Sequence, residues 1–207
     1  TPGGQGSTTL WLDGSGFSGN AVAAHRSGDL VFLSSWAAGG ISVYRAGGDG
    51  SLTKLSSLAD TSALALEGIA AMASATTAAG RYLITASQTQ NTVSVLRIDD
   101  NGLLTPVAQL GAANFLPVNL PSQVAVATLN GQNFVLLGAF GTSSLTVMRL
   151  GDDGSLTFTD QLADSLDTRF GGVSAMDVLT VGGQVLIAAA GGDGGVTLFQ
   201  LLPSGRL

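Results

Sequence analysis

The chain repeats one sequence pattern at a spacing of about 52 residues. The first marker is a short β-favouring segment that occurs four times, as Ile41–Arg45, Val93–Arg97, Leu145–Arg149 and Val196–Gln200. The second marker is a turn ending in glycine and followed by leucine, at Asp49–Thr53, Asn101–Thr105, Asp153–Thr157 and, incompletely, Ser204–Leu207. Self-similarity at roughly 40–50 residues with several short strands per repeat is typical of β-propeller arrays.

Each repeat divides into four short strands separated by turn residues. In the second repeat we predict strands at 69–73, 81–87, 92–98 and 103–110. The last two are joined by Asp99-Asp100-Asn101-Gly102, whose Asn-Gly pair tolerates the positive φ angles of a tight hairpin. The predicted fold class is therefore all-β, a β-propeller built of four-stranded antiparallel blades.

The second and third strands of the repeat differ in their patterns. The third strands alternate, with Val43, Val95, Val147 and Leu198 on one parity and Ser42, Ser94, Thr146 and Thr197 on the other. This alternation predicts one apolar and one polar face. Second strands such as Leu30–Leu33 and Phe134–Leu137 are continuous apolar runs, which predicts burial on both faces between neighbouring blades.

The strand count sets the expected domain organisation. We predict one β-propeller segment over residues 1–207, with a fourth-type strand and linker at 1–20, blades at 21–66, 67–118 and 119–170, and a partial blade at 171–207. The N-terminal strand centres on Thr8–Leu12 and could complete the last sheet, giving a four-bladed ring. We favour a segment of a larger propeller, covalently longer or completed by a second chain. The start at Thr1, without a signal segment, suggests a processed or excised piece of a longer precursor.

Composition excludes several classes of function. The net charge is −6 and the eight basic residues are dispersed, whereas nucleic-acid binding needs clustered Lys and Arg. The apolar runs are far shorter than the ~20 residues of a membrane-spanning helix. Cysteine is absent, so disulfides and thiolate sites are excluded.

Two side chains are the main candidates for catalysis. His25 is the only histidine, and because Arg26-Ser27-Gly28-Asp29 follows it, we expect a solvated residue in the turn between first and second strands. Glu67 is the only glutamate, and together with Gly68 it marks a candidate carboxylate facing the channel. Acid–base catalysis would require either group to lie in a cleft beside a partner.

The Asp-rich turns at Asp99–Asn101 and Asp152–Asp153 offer oxygen atoms that could bind calcium. Calcium loops of the Asp-x-Asp-x-Asp-Gly kind also have a distal acid, and none follows here. We therefore interpret these residues as hairpin turn residues and expect no cofactor.

Repeated arginines and large aromatics give weaker signals. Arg45, Arg97 and Arg149 recur at one blade position, where they could line an anion site, although pairing with turn carboxylates is the favoured interpretation. Trp11, Trp36 and Phe140 could stack on sugars, but packing between blades is the expected role of large aromatic side chains.

The repeat resembles the blade signature of lactonase-type seven-bladed propellers, a group that includes 6-phosphogluconolactonase-like proteins and related surface-layer propellers. The matching residues are Gly80–Ile84, Asn91–Arg97 and Asn101–Thr105. Enzymatic members commonly have a Pro-x-His motif before a blade, with His, Arg and Glu facing the channel. The corresponding segments Glu67–Met72, Pro121–Ala125 and Gly171–Met176 contain no histidine, so we assign no catalytic, cofactor-binding or metal residue.

Three functions follow from these patterns. The favoured one is a non-catalytic β-propeller module, a rigid platform for binding or assembly within a larger secreted or cell-surface bacterial protein, with a periplasmic location as a variant. It predicts a protein partner or self-association. The alternatives are a lactonase-like hydrolase acting on a sugar lactone and a carbohydrate-binding propeller.

Overall fold

The computed structural model describes residues 21–35 and 39–207, and within these ranges the chain forms four antiparallel sheets. The first sheet contains β1 (Ala21–Ser27), β2 (Leu30–Ser35), β3 (Ile41–Ala46) and β4 (Leu52–Leu58), and the second contains β5 (Ile69–Thr77), β6 (Gly80–Ser87), β7 (Thr92–Ile98) and β8 (Leu104–Leu110). The third contains β9 (Pro121–Leu129), β10 (Gln132–Ala139), β11 (Ser144–Leu150) and β12 (Leu156–Ala163), and the last contains β13 (Ala175–Val181), β14 (Gln184–Ala190) and β15 (Val196–Leu201). A single 3₁₀ turn, Ala112–Asn114, lies between β8 and β9.

Every sheet is a meander in which consecutive strands are hydrogen-bonded neighbours. The first strands of successive sheets contact each other in the order β1, β5, β9 and β13, while contacts between fourth strands are sparse. The sheets therefore converge at their first strands and diverge at their fourth strands. This radial arrangement of blades confirms the predicted β-propeller fold.

Strand bounds in the second sheet agree closely with the sequence prediction. β7 coincides with 92–98, while β6 begins at Gly80 and β8 begins at Leu104. The predicted end of β5 at Ala73 is too early, because Thr76 and Thr77 also pair with β6 across a tight turn. The threonines suit a strand, but their polarity removes the apolar signal that marked its first half.

The core lies between the sheets. The β6 residues Tyr82, Leu83 and Ile84 are 1%, 0% and 0% exposed, and the β10 run is equally buried, so burial on both faces is confirmed for the two middle sheets. In the first and last sheets the apolar run of the second strand is buried only on alternate residues, and Val31 and Leu186 keep partial exposure. These two sheets each have a neighbouring sheet on one side only among the described residues.

In the two middle sheets the polar face of the third strand is buried rather than exposed to solvent. Ser94 and Thr146 are 1% and 0% exposed. They are buried because the linker that precedes each of these sheets packs against them. Gln161 of β12 donates from Nε2 to Thr146 Oγ1 (3.0 Å) and to the carbonyl of Pro117 in that linker (3.1 Å). Gln109 of β8 links Ser94 to the preceding linker through Oε1, which accepts from Ser94 Oγ at 3.2 Å and from the N–H of Ala65 at 2.7 Å. In the second and third sheets the polar stripe thus attaches the sheet to the linker before it.

The hairpin turn between third and fourth strands packs on the preceding sheet. Gly154 has a φ of +86°, and a Cβ at this position would lie 2.6 Å from the ring of Tyr82. The Tyr82 hydroxyl donates to the carbonyl of Asp152 in the same turn at 2.9 Å. Gly102 and Gly205 make the equivalent contacts with the first and third sheets. Glycine is required here because the backbone has a left-handed conformation and no space for a side chain.

Several predictions fall outside the described residues. These are the N-terminal strand at Thr8–Leu12 and the two tryptophans, Trp11 and Trp36. Among the residues described, no helix has the length and apolar character needed to cross a lipid bilayer.

Candidate functional site

The alternating strand directions place the connecting segments at two opposite ends of the molecule. We call the loop end the surface formed by the linkers between sheets and by the turns between second and third strands. We call the turn end the surface formed by the other two kinds of turn. Backbone hydrogen bonds join linkers and turns at the loop end, from Gln88 to Gly68 (2.9 Å), from Phe140 to Leu120 (2.8 Å) and from Gly192 to Gly171 (2.7 Å).

The repeated arginines lie at the turn end. Arg45 Nε donates to Asp29 Oδ2 at 3.0 Å, which confirms the predicted pairing with a turn carboxylate. Arg97 instead donates to the carbonyl of Ala79, in the equivalent turn of the second sheet, at 3.1 Å. Because Arg149 and its equivalents occupy third strands, a second strand separates them from the converging first strands. Arg45, Arg97 and Arg149 therefore lie away from the first strands.

The Asp-rich turns also lie at the turn end, and their carboxylates bind the turn backbone. Asp99 Oδ1 accepts from the N–H groups of Asn101 (2.9 Å) and Leu103 (2.7 Å). Asp153 Oδ1 accepts from the hydroxyl (2.6 Å) and N–H (3.0 Å) of Ser155, and the hydroxyl above all lowers the pKa of Asp153 below 3.8. The hairpin interpretation of these residues is confirmed. Across residues 21–35 and 39–207, no group of three or more His, Cys, Asp or Glu side chains is placed to hold a metal.

His25 does not lie in a turn, contrary to the sequence expectation. It belongs to β1, its Nε2 lies 2.9 Å from Ser74 Oγ on β5, and its ring stacks on Phe32 with centroids 6.3 Å apart. Burial lowers the pKa of His25 below 6.5. The polar run after His25 suggested a turn, but the turn is confined to Gly28 and Asp29, so His25 connects two blades instead of facing solvent.

Glu67 lies at the loop end with an exposed side chain. Its N–H donates to Gln90 Oε1 at 3.1 Å, and its carbonyl accepts from Thr89 Oγ1 at 2.9 Å and Ser87 Oγ at 2.5 Å. These bonds fix the backbone just before Gly68, whose φ is +57°. The structure therefore holds the Glu67 backbone in place and leaves its carboxylate accessible.

Sequence reasoning missed two linker aspartates. Asp60 Oδ1 accepts from the N–H of Leu66 at 2.6 Å, and Asp164 Oδ1 accepts from the N–H of Phe170 at 3.1 Å and the hydroxyl of Thr168 at 2.7 Å. The Thr168 hydroxyl is the main cause that lowers the pKa of Asp164. The side chains of Leu66 and Phe170 are fully buried between sheets. The sequence contains a signal for this shared role, because the two aspartates are two repeat lengths apart.

Large apolar side chains are exposed at the loop end. Phe140 follows the last residue of β10 and is 51% exposed, so its expected burial between blades is wrong; one edge of its ring lies near Gly172. Leu120 lies beside it, and Phe115 and Leu166 of the linkers are each 93% exposed. We call Phe115, Leu120, Phe140 and Leu166 the loop-end apolar residues.

Comparison with known proteins identifies the fold. No protein-family model matches the sequence, and no curated protein sequence matches it. A candidate 6-phosphogluconolactonase from Bacteroides fragilis is similar in structure, with a TM-score of 0.52 and 20% identity over 66% of this chain and 36% of the other. The periplasmic gluconolactonase of Pseudomonas aeruginosa gives 0.53 and 21% over 66% and 39%.

An exo-β-1,3-galactanase from Phanerochaete chrysosporium is also similar, with a TM-score of 0.60 and 10% identity over 95% of this chain and 51% of the other. The chain therefore spans between about a third and a half of the length of these three proteins. At these identities the likeness shows the β-propeller fold alone.

Proposed function

We propose that this chain is a non-catalytic β-propeller module that serves as a rigid platform for binding or assembly in a larger secreted or cell-surface protein. The observation that carries the proposal is the use of polar side chains at the loop end, where they bind the chain's own backbone. Asn91 Oδ1 accepts from the N–H of Leu120 at 2.7 Å, and Asp164 and Gln90 hold linkers in the same way.

Bonds between sheets support the rigidity. Ser122 Oγ of β9 donates to the carbonyl of Val173 at 2.5 Å, and Gln123 Nε2 donates to the carbonyl of Ser174 at 2.9 Å. Both bonds cross from the third sheet to the start of the last one. A surface that is ordered before binding avoids the entropy cost of ordering side chains and loops, so its contacts contribute more fully to affinity.

The loop-end apolar residues supply the contact chemistry of such a platform. Exposed aromatic side chains are enriched at protein interfaces and supply much of the binding free energy there. The acidic composition, with a net charge of −6, favours a partner whose contact surface is neutral or basic.

Two alternatives have some support. A lactonase-like hydrolase is favoured by the structural likeness to the candidate 6-phosphogluconolactonase and to the periplasmic gluconolactonase. In that case the accessible carboxylate of Glu67 would act as the general base that activates water. A carbohydrate-binding propeller is favoured by the half-exposed ring of Phe140 and by the likeness to a galactanase. A secreted location agrees with the periplasmic neighbour and is part of the proposal.

The test is to measure lactone opening by the purified chain. Proton release from glucono-lactone and 6-phosphogluconolactone is followed with wild type, Glu67→Gln and buffer alone. We expect all three rates to agree. An enzyme-like wild-type rate that is lost in Glu67→Gln would overturn the proposal in favour of hydrolysis. Binding on a glycan array that is lost in Phe140→Ala would favour the carbohydrate-binding function.

A further inference from the structure

The loop-end apolar residues lie on three neighbouring segments, the linker 111–120, the turn 140–143 and the linker 164–172. The turn is hydrogen-bonded to both linkers. On one side the N–H of Gly141 donates to the carbonyl of Asn119 at 3.0 Å. On the other side the carbonyl of Ser143 accepts from the N–H of Asp164 at 2.7 Å, and Ser143 Oγ accepts from the N–H of Gly172 at 2.9 Å. The three segments therefore form one continuous surface, which we call the three-segment surface.

The exposure of this surface does not arise at the edge of the described residues. The first linker joins the second sheet to the third, and the second linker joins the third sheet to the last, so described sheets lie on both sides of each. Both linkers bury apolar side chains of their own, with Leu116 3% and Phe170 0% exposed. The same linkers leave Phe115 and Leu166 almost fully exposed. Their exposure is thus a property of the linkers themselves.

Strained backbone is concentrated in the three-segment surface. Phe115, Leu120 and Ser143 have φ angles of +59°, +50° and +45°, and they are three of the five non-glycine residues with positive φ among the residues described. A left-handed conformation is unfavourable for a residue with a Cβ, and most of all for a bulky one. Phe115 combines this strain with a ring that adds nothing to the core. Strain of this kind clusters at binding sites, which favours a role in binding for this surface.

Charge is segregated between the two ends of the molecule. Among the described residues, the linkers and the turns of the loop end carry one basic residue, Arg169, and five acidic residues, Asp60, Glu67, Asp164, Asp167 and Asp193. The other seven basic residues lie in the turns of the turn end or in the strand halves next to it. The excess of negative charge therefore surrounds the exposed apolar side chains.

Two of the carboxylates border the space above Gly171. A Cβ on Gly171 would lie 3.1 Å from Asp164 Oδ2 and 3.5 Å from Asp193 Oδ2. A Cβ on the next residue, Gly172, would lie 3.1 Å from the ring of Phe140. The space over these two glycines therefore has carboxylate oxygens on one side and an aromatic ring on the other.

Asp193 faces the linker before its own sheet, as the equivalent residues of the two earlier sheets do. The repeat places Asp193 at the position of Gln90 and Thr142. Gln90 Oε1 accepts from the N–H of Glu67 at 3.1 Å, and Thr142 Oγ1 accepts from the N–H of Asn119 at 3.4 Å. The place of the Asp193 carboxylate over the preceding linker is therefore a property of the repeat.

The one basic residue of the loop end does not neutralise these acids. Arg169 Nη1 donates to the carbonyls of Thr168 (3.2 Å) and Leu166 (3.4 Å), and within residues 21–35 and 39–207 Arg169 forms no ion pair. Asp164 binds the linker through Oδ1, which leaves Oδ2 toward Gly171. Negative charge over this glycine is thus available to a cation from another molecule.

A basic protein segment has the chemistry that this surface would recognise. Lys and Arg carry a charged head on an apolar stem, so one side chain can place its head between two carboxylates and its stem against an aromatic ring. Apolar neighbours in the same segment would pack on the other exposed side chains. A neutral sugar would stack on the ring but leave the excess of negative charge unused.

We propose that the three-segment surface binds a basic, apolar segment of a partner protein. In this complex a Lys or Arg side chain lies over Gly171, between Asp164 and Asp193. Its apolar neighbour packs on Phe140 and Leu120. This inference rests on the proposed function and names the chemistry of its partner.

Fluorescence anisotropy with three short labelled peptides tests the inference. The probe alternates lysine with leucine, and the comparison peptides alternate glutamate with leucine and lysine with serine. We expect the purified chain to bind the lysine–leucine peptide with a Kd of about 10–100 μM at low salt. The Kd should rise at least about threefold between roughly 50 and 500 mM salt, because salt screens exposed charges. Both comparison peptides should bind at least about tenfold more weakly, since each lacks either the charge or the apolar side chains.

Two substitutions with matched controls locate the binding site. Phe140→Ala and Asp193→Lys should each raise the Kd about fivefold or more, because they remove the aromatic contact and reverse the charge beside Gly171. Phe158→Ala removes a ring of similar exposure (48%) on β12, and Asp152→Lys reverses an exposed charge at the turn end. Both controls should bind like wild type. Circular dichroism of each variant separates lost binding from lost folding.

Three results would contradict the inference: no binding of the lysine–leucine peptide up to about 1 mM, equal binding of the glutamate–leucine peptide, or Phe140→Ala and Asp193→Lys variants that bind like their controls. Lactone opening is a separate measurement. If neither lactone opening nor peptide binding is seen, the platform function stands and its partner has a different chemistry. A lactonase rate that is lost in Glu67→Gln refutes the proposed function, whether or not the peptide binds.

Discussion

Replacing Gly154 by alanine tests the packing of one blade on the next. Gly154 has a φ of +86°, and the added Cβ would lie 2.6 Å and 3.0 Å from two Tyr82 ring atoms and 3.0 Å from Val107 Cγ1. The Tyr82 ring is 1% exposed and its hydroxyl binds Asp152, so it has little freedom to move away. The substitution therefore combines a strained backbone with a clash between two sheets.

Gly131 provides a control that separates the clash between sheets from the backbone strain. Its φ is +76°, and a Cβ there would meet nothing within 4 Å. Gly131→Ala should cost about 1–2 kcal/mol, the price of a left-handed conformation for a non-glycine residue. Gly154→Ala should cost this amount plus about 1–3 kcal/mol for overpacking at the interface.

Urea unfolding followed by far-ultraviolet circular dichroism gives both free energies, provided that the denaturant slopes agree among the three proteins. We expect Gly154→Ala to be the less stable variant by at least about 1 kcal/mol. Equal losses in the two variants would refute the reasoning, because they would show that the turn at Gly154 does not press on the second sheet.

Two further predictions concern buried polar groups. Since burial lowers the pKa of His25 below 6.5, the unfolded chain takes up this proton first, and the contribution of His25 to stability is present above pH 6.5 and lost as the pH falls below it. The melting temperature of wild type should therefore fall more than that of His25→Gln between pH 7.5 and 5.5, and parallel profiles would contradict the shift. Gln161→Ala removes the donor from fully buried Thr146 and from Pro117 O, so it should cost about 1–3 kcal/mol by urea unfolding. The exposed Gln132→Ala should cost little, and an equal loss at both sites would contradict a bracing role for Gln161.

Much of the fold was predictable because it depends on local periodicity. The apolar run at Tyr82–Ile84 and the Asn-Gly turn at Asn101–Gly102 depend only on near neighbours in sequence, and both formed the predicted strand and hairpin. Repetition strengthened these predictions, since an error in one copy would conflict with the others. The sequence analysis did not predict that β5 extends to Thr77, because the second half of this strand is polar.

Candidate site residues were harder to predict because their roles depend on contacts between distant segments. The local sequence predicts a turn at His25, but the residue lies in β1 and its partner Ser74 lies in the next blade. The linker aspartates Asp60 and Asp164 act on backbone groups whose positions only the folded linkers define. Phe140 was expected in the core because of its size, whereas the geometry of its turn leaves it half exposed.

The sequence by itself determined the repeat, the strand order within each blade and the turn residues, because these follow from side-chain alternation and backbone preferences over a few positions. Only the tertiary structure decided that the serine and threonine stripe is buried in the two middle sheets, that the arginines lie away from the first strands and that the last sheet has an apolar face exposed. The reason is that burial between blades depends on whether a neighbouring sheet is present. Val147 and Leu198 occupy the same repeat position, but one is 0% and the other 56% exposed, because within residues 21–35 and 39–207 a sheet covers the first and none covers the second.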